Sequence, residues 1–147
     1  MKIFGIICEY NPFHNGHARQ LEFCRSNGAD LIFCAMSGDF TQRGEPAVLE
    51  KRIRAKHAVQ SGADLVAELP LPYAAAGAKD FAEGGVKLLE KMGCTHICFG
   101  SECGNISLLE KAAELIDSDS FNNSLKLHIK AGKSYPVSAE LAGEEYG

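Results

Sequence analysis

The sequence predicts an α/β fold, a parallel sheet with helices on both faces. Two observations carry this. Apolar runs of strand length alternate with stretches of helical period, an order that calls for parallel strands joined by right-handed crossovers. The strand runs are also continuous, as in Ile3-Phe4-Gly5-Ile6-Ile7-Cys8 and Leu31-Ile32-Phe33-Cys34-Ala35-Met36. Continuous apolar runs suit strands covered on both faces.

In chain order, Lys2–Cys8 reads as the first strand, and Asn15–Ser26 as a helix stopped by Asn27-Gly28. Asp30–Met36 is the second strand, Ser37–Pro46 a polar loop, and Ala47–Gln60 a helix ended by Gly62. Asp64–Leu69 is the third strand, closed by Pro70 and Pro72. A loop leads to a helix over Lys79–Met92, with Phe81, Leu88, Leu89 and Met92 on one face and Gly93 as its stop. Thr95–Phe99 is the fourth strand. Asn105 or Ser107 caps a helix carrying Ile106, Leu109, Ala113 and Ile116, and Ser120–Ala131 forms another. Beyond Gly132 the pattern supports a short helix at most and no fifth strand. Gly-Ala-Asp-Leu occurs at Gly28 and again at Gly62, as one helix-to-strand junction used twice.

At 147 residues, the chain has the size of one domain, residues 1–147. A net charge of −4 argues against nucleic-acid binding by charge alone, although Lys51, Arg52, Arg54 and Lys56 crowd one helix. No apolar run approaches the ~20 residues of a membrane helix, so no membrane partner is expected. The N-terminus reads as a strand and not as a signal peptide, which makes a cytoplasmic protein the default expectation. The six cysteines include no C-x-x-C pair. They read as reduced and mostly buried thiols. Cys94, Cys98 and Cys103 with His96 can be joined into a metal site only on paper, and no metal ligands are expected.

The chemistry gathers at Gly5-Ile6-Ile7-Cys8-Glu9-Tyr10-Asn11-Pro12-Phe13-His14-Asn15-Gly16-His17. A strand ends, the chain turns at Asn11-Pro12, and two histidines bracket Asn15-Gly16 as a helix begins. The first N–H groups of a helix lack partners and face the positive end of its dipole, where a phosphate can sit. Gly16 lets ligand atoms approach the backbone. His14 and His17, three positions apart, share a face once the first turn forms. Their imidazoles can then donate to phosphoryl oxygens. The bland alternative is a metal pair or two surface histidines; placement straight after an apolar strand favours phosphate.

The stretch Cys8 to His17 resembles the first signature of the HIGH-type nucleotidyltransferases. Glu9 to His17 is more particular, and is similar to the bacterial tRNA(Met) cytidine acetate ligase family. Met36-Ser37-Gly38-Asp39-Phe40-Thr41-Gln42-Arg43-Gly44-Glu45-Pro46-Ala47, Asp64-Leu65-Val66-Ala67-Glu68-Leu69-Pro70 and Phe99-Gly100-Ser101-Glu102 agree with that family in order. The resemblance implies a Rossmann-like fold and ATP with Mg²⁺. It implies formation of acetyl-adenylate from acetate and ATP, and transfer of the acetyl group to the wobble cytidine of elongator tRNA(Met). The superfamily's strand order implies that strands one and four are neighbours, with Gly100 facing the histidine turn.

Ligands in such sheets bind beyond the carboxyl ends of the strands, where strand order reverses. The expected nucleotide-binding residues are Ile7, Cys8, Glu9, Tyr10, Asn11, Pro12, Phe13, His14, Asn15, Gly16, His17, Gln20 and Gly100. The candidate catalytic residues are His14, His17 and Asp39. Asp39 follows the second strand, where a carboxylate can bind Mg²⁺ or orient the acceptor, or can equally be a turn residue after Gly38. Arg43 can meet triphosphate or tRNA backbone, whereas Lys51 and Arg52 read as a solvated helix face. Glu68 caps a loop or shapes the acetate pocket. His57, His96 and His128 read as structural. The family's enzymes are longer, with a second nucleotide motif of serines and an arginine and then a helical tRNA-binding region. Neither appears before Gly147, so the chain reads as the front part of a catalytic domain. Two alternatives stay open: a small cytidylyl- or adenylyltransferase of coenzyme or lipid metabolism, and a nucleotide-binding module without turnover.

Overall fold

The computed structural model describes residues 1–146. Its sheet has four strands: β1 (Ile3–Cys8), β2 (Leu31–Ser37), β3 (Leu65–Leu69) and β4 (His96–Ile97), in the order β3-β2-β1-β4. Every pairing is parallel, with Ile6 opposite Cys34 and Phe4 opposite His96. Parallel neighbours need crossovers. These are α1 (Asn15–Ser26), α2 (Lys51–Gln60), and the pair α3 (Leu71–Ala74) and α4 (Ala78–Lys91). The chain steps outward from β1 to β3, then returns to the far side of β1, so strand order reverses between β1 and β4.

Pleating sends alternate residues to opposite faces. Phe4, Ile6 and Cys8 of β1 join Ile32, Cys34 and Met36 of β2 in a core with Leu21 and Cys24 of α1 and Ala58 of α2. Gly5 and Ile7 face α4. A methyl group on Gly5 would lie 2.8 Å from Leu89 Cδ1, and one on Gly85 would lie 2.6 Å from Ile7 Cδ1. The two glycines let α4 lie directly on β1.

The helix-to-strand junction occurs three times. Gly28, Gly62 and Gly93 have φ of 85°, 114° and 82°, the left-handed geometry that closes a helix. The next residue's N–H then donates back to the helix: Ala29 to Cys24, Ala63 to Ala58 and Cys94 to Leu89. Its successor reaches the neighbouring strand. Asp30 Oδ2 accepts from Lys2 N at 2.6 Å, Asp64 Oδ2 from Ile32 N at 2.7 Å and Thr95 Oγ1 from Ile3 N at 3.0 Å. Thr95 makes the third junction invisible to a search for Gly-Ala-Asp-Leu.

Four elements differ from expectation. α2 starts at Lys51 and not Ala47, because Ala47 N–H donates to Asp39 O at 2.9 Å and Val48 N–H to Asn11 Oδ1 at 2.7 Å. β4 holds only His96–Ile97, although Thr95 N and Cys98 N still bond to Ile3 O and Gly5 O of β1. It is an edge strand, paired on one side only. One helical turn, α3, stands where a loop was expected. The short helix expected after Gly132 is α7, Tyr135–Tyr146, twelve residues long.

The chain forms two compact units, the first Met1–Gly100 and the second beginning at Ser101. A size argument does not register this division. The second unit holds α5 (Ile106–Ile116), α6 (Asp119–Lys130) and α7. Phe121, Leu125 and Ala142 form its core, with Leu115 and Ala139 against them. Asn105 caps α5 and Ser118 caps α6, and Glu145 accepts a hydrogen bond from Ser124 Oγ at 2.5 Å. Ser138 and Ala142, one turn apart on α7, are buried. Tertiary contact thus orders a helix whose own pattern is weak. No helix among the described residues is long and apolar enough to cross a membrane.

Candidate nucleotide site

The site starts where β1 ends. Tyr10 takes φ of 48° and is only 1 % exposed. A non-glycine residue in left-handed geometry costs roughly 1–2 kcal/mol, so the surroundings must hold it. Phe13 packs edge-on at 4.9 Å between ring centroids, and the Tyr10 hydroxyl meets Cys34 Sγ at 3.5 Å. Burial pushes the Tyr10 hydroxyl and the Cys8 thiol well up, so both are neutral at physiological pH.

His14 is the N-cap of α1, with extended backbone. Its Nδ1 accepts from Gly16 N at 3.1 Å, and His17 Nδ1 accepts from His14 N at 3.2 Å. Imidazoles take the roles that Ser or Thr and Glu fill in the usual capping box. A methyl group on Gly16 would lie 2.9 Å from His14 Cε1. Glycine at this position therefore leaves room for the cap itself. The rings stack with centroids 3.7 Å apart.

The caps decide the tautomers. An Nδ1 that accepts a hydrogen bond carries no proton, so both rings bear theirs on Nε2. Neither Nε2 has a protein partner among the described residues. Partial burial, and then the adjacent His14, hold the His17 pKa below the ordinary histidine value, which keeps that ring neutral at pH 7. His17 also packs at 4.7 Å from Tyr10 and 5.5 Å from Phe13, so it contributes more to packing than a first-turn position suggests.

These groups open onto a cleft of about 460 Å³ at the β1–β4 reversal. Of the expected nucleotide-binding residues, Ile7, Cys8, Glu9, Tyr10, Asn11, Pro12, His14, His17, Gln20 and Gly100 line it. Phe13, Asn15 and Gly16 do not. Phe13 supports Tyr10 from the core side, and Asn15 and Gly16 belong to the helix start. Gln20 Nε2 donates to Cys98 O at 3.3 Å, tying α1 to the chain after β4. A methyl group on Gly100 would meet nothing within 4 Å, so the backbone there is open. Phe99, 58 % exposed, also lines the cleft and was missed; its place at a strand's carboxyl end was the available signal.

Asp39 is not brought to the histidines. It stands outside the cleft lining, with Oδ2 3.2 Å from Lys51 Nζ, which also meets Glu68 Oε1 at 2.9 Å. Lys51 is thus engaged by two carboxylates, and Glu68 spends its charge there. Glu9 accepts from Gln42 N at 2.6 Å and Asn11 from Val48 N at 2.7 Å, so both side chains hold the loop after β2. Arg43 is exposed on that loop. Arg54, one of the four basic residues that crowd α2, is completely buried. All six cysteines are free, and no three metal-ligating side chains converge among the described residues.

The whole chain, residues 1–147, matches the family model described as HIGH Nucleotidyl Transferase. It is 47% identical over 150 residues to the tRNA(Met) cytidine acetate ligase of Acetivibrio thermocellus, a match covering 99% of this chain and 36% of that protein. The enzyme of the same name from Bacillus subtilis is 46% identical over 145 residues, covering 97% of this chain and 35% of its own length. The crystal structure of Thermotoga maritima TmcAL bound with alpha-thio ATP superposes with a TM-score of 0.92 at 40% identity, covering 99% of this chain and 36% of that one. The chain therefore spans little more than a third of the length of these relatives. With a parallel sheet, a histidine-capped turn at its switch point and a match over its full length, the chain belongs to the HIGH nucleotidyltransferase family.

Proposed function

We propose that this chain is the ATP-binding part of a tRNA(Met) cytidine acetate ligase. The observation that carries the reading is the pair of imidazoles whose tautomers are set by capping α1, both with free Nε2–H donors at the cleft. Donors held in place before charge develops stabilise phosphoryl oxygens without reorganisation. ATP would lay its phosphates at His14, His17 and the start of α1, with its nucleoside toward Gln20, Phe99 and Gly100. The open backbone at Gly100 and the exposed Phe99 ring suit a flat base.

An acetate oxygen would attack the α-phosphorus, the bond to the β-phosphate would break, and pyrophosphate would leave. The cytidine N4 of elongator tRNA(Met) would then attack the acetyl carbonyl of the adenylate, losing a proton as AMP departs. The imidazoles serve the first step, through charge growing on the leaving pyrophosphate. Mg²⁺ would arrive on the phosphates and screen their charge. The described residues offer it no cage, since Asp39 is paired with Lys51 and Glu9 with Gln42.

Spanning about 36% of its relatives' length and carrying a net charge of −4, this chain is expected to bind ATP without acetylating tRNA by itself. The test is titration of the purified chain with ATP, alongside an assay with ATP, Mg²⁺, acetate and elongator tRNA(Met) read as acetylcytidine. The expected result is saturable ATP binding and no product. Absence of ATP binding would remove the nucleotide reading. Product at the rate of a full-length relative would show that the remaining two-thirds is dispensable.

A further inference from the structure

Arg54 is the largest fully buried side chain of the protein, at 0 % exposed. Lysine and arginine are rarely buried without a paired charge. No carboxylate lies in ion-pair contact with Arg54 among the described residues. Its guanidinium is satisfied by backbone carbonyls alone. Nε donates to Leu49 O at 2.9 Å, Nη1 to Glu9 O at 2.5 Å and Ser37 O at 3.3 Å, and Nη2 to Gly38 O. The carboxylates of Asp39, Glu9 and Glu68 act on it only from a distance.

The four carbonyls come from three places. Glu9 begins the turn after β1, Ser37 ends β2 with Gly38 opening the loop beyond it, and Leu49 leads into α2. Glu9 directly precedes Tyr10, the residue in left-handed geometry. The same two loops are tied again in the other direction, by Glu9 Oε1 on Gln42 N–H and Asn11 Oδ1 on Val48 N–H. Glu9 and Asn11 both line the cleft. A planar fork with five donors can span carbonyls set at this spread; a lysine ammonium, a single point, cannot.

We propose that Arg54 is a positioning residue for the nucleotide cleft, clamping the 9–11 turn and the 38–50 loop into one rigid piece before ATP arrives. It touches no ligand. It acts through the Glu9 carbonyl on the turn that carries His14, and through Gly38 on the loop that carries Arg43. The inference rests on the ATP reading above.

The test compares Arg54→Lys and Arg54→Met with the unsubstituted chain, by amide hydrogen exchange and by ATP titration corrected to the folded fraction. Arg54→Lys is expected to speed exchange at Gln42 and Val48 and to weaken ATP binding per folded molecule, each by about tenfold or more. Ile32 and Cys34 in the core should stay protected, and Arg54→Met should bind more weakly still. An arginine that merely stabilises the fold would lower the folded fraction and leave the corrected affinity unchanged. Corrected affinity and loop exchange within twofold of the unsubstituted chain would overturn the proposal. If neither variant folds, the unsubstituted chain decides. The Arg54 side-chain N–H and the Gln42 and Val48 amides should exchange through one common opening, and independent rates would overturn the clamp. Should the unsubstituted chain bind no ATP, the nucleotide reading falls while the exchange results still judge the clamp.

Discussion

Replacing His14 by asparagine or by alanine separates its two roles. As N-cap, His14 Nδ1 accepts from Gly16 N at 3.1 Å; as a cleft residue it presents Nε2–H. An asparagine amide oxygen is among the best N-cap acceptors, so His14→Asn should hold helix stability within about 0.5 kcal/mol. It keeps the cap acceptor and removes the Nε2–H donor together with the ring stacked on His17. Alanine removes both roles, and the lost cap costs about 1 kcal/mol. For a chain of this size that corresponds to a fall in Tm of roughly 3–5 °C. A hydrogen bond to a charged phosphate is worth about 1.5–3 kcal/mol, which converts to a Kd for ATP roughly 10- to 100-fold weaker in both variants. The reciprocal bond, from His14 N to His17 Nδ1, involves the backbone of residue 14 and survives in both. The assay is a thermal melt by circular dichroism, paired with an equilibrium ATP titration. If His14→Asn binds ATP like the unsubstituted chain while His14→Ala does not, the cap alone matters and the donor argument is wrong.

Acid should loosen the turn. His17 binds its proton less readily when folded, so the unfolded chain takes the proton first as pH falls through about 6.5. The stability it contributes is present above that pH and lost below it, and the urea midpoint should drop between pH 7 and pH 5 by more than in a His17→Asn variant; equal drops would refute this. Gly85→Ala places a methyl group 2.6–2.8 Å from three Ile7 atoms, whereas Gly143→Ala on α7 meets nothing within 4 Å. Overpacking of about 1–3 kcal/mol outweighs a helix-propensity gain of about 1 kcal/mol in the first, while the second keeps the gain, so thermal melts should move in opposite directions. Cys103 is exposed, and the Ser101 hydroxyl 3.2 Å away lowers its pKa, so mass spectrometry after brief iodoacetamide treatment should find it alkylated first. Cys8, Cys24, Cys34 and Cys98 are buried and should react only on unfolding; early labelling there would contradict the packing.

Local chemistry made much of this molecule readable in advance. Asn15–Ser26 was expected as a helix and is one, because both ends are set by nearby residues: a cap at His14 and Asn27-Gly28 beyond the last turn. The strands were legible because continuous apolar runs have few other places to go. The turn with its two histidines was legible for the same reason, since strand end, cap and glycine lie within ten residues. What tertiary structure decided involves partners far apart in sequence. The start of α2 moved because Asn11, 37 positions earlier, takes the Val48 N–H. Asp39 lies outside the cleft lining because it pairs in space with Lys51, the ammonium that also holds Glu68. In the sequence Arg54 is one of four basic residues crowding one helix, with Lys51, Arg52 and Lys56. Its burial depends on carbonyls 5, 16, 17 and 45 positions away, which converge only when β1 and β2 lie side by side. Backbone carbonyls carry no signature in a sequence, because every residue has one; only the fold determines which of them meet at a single guanidinium.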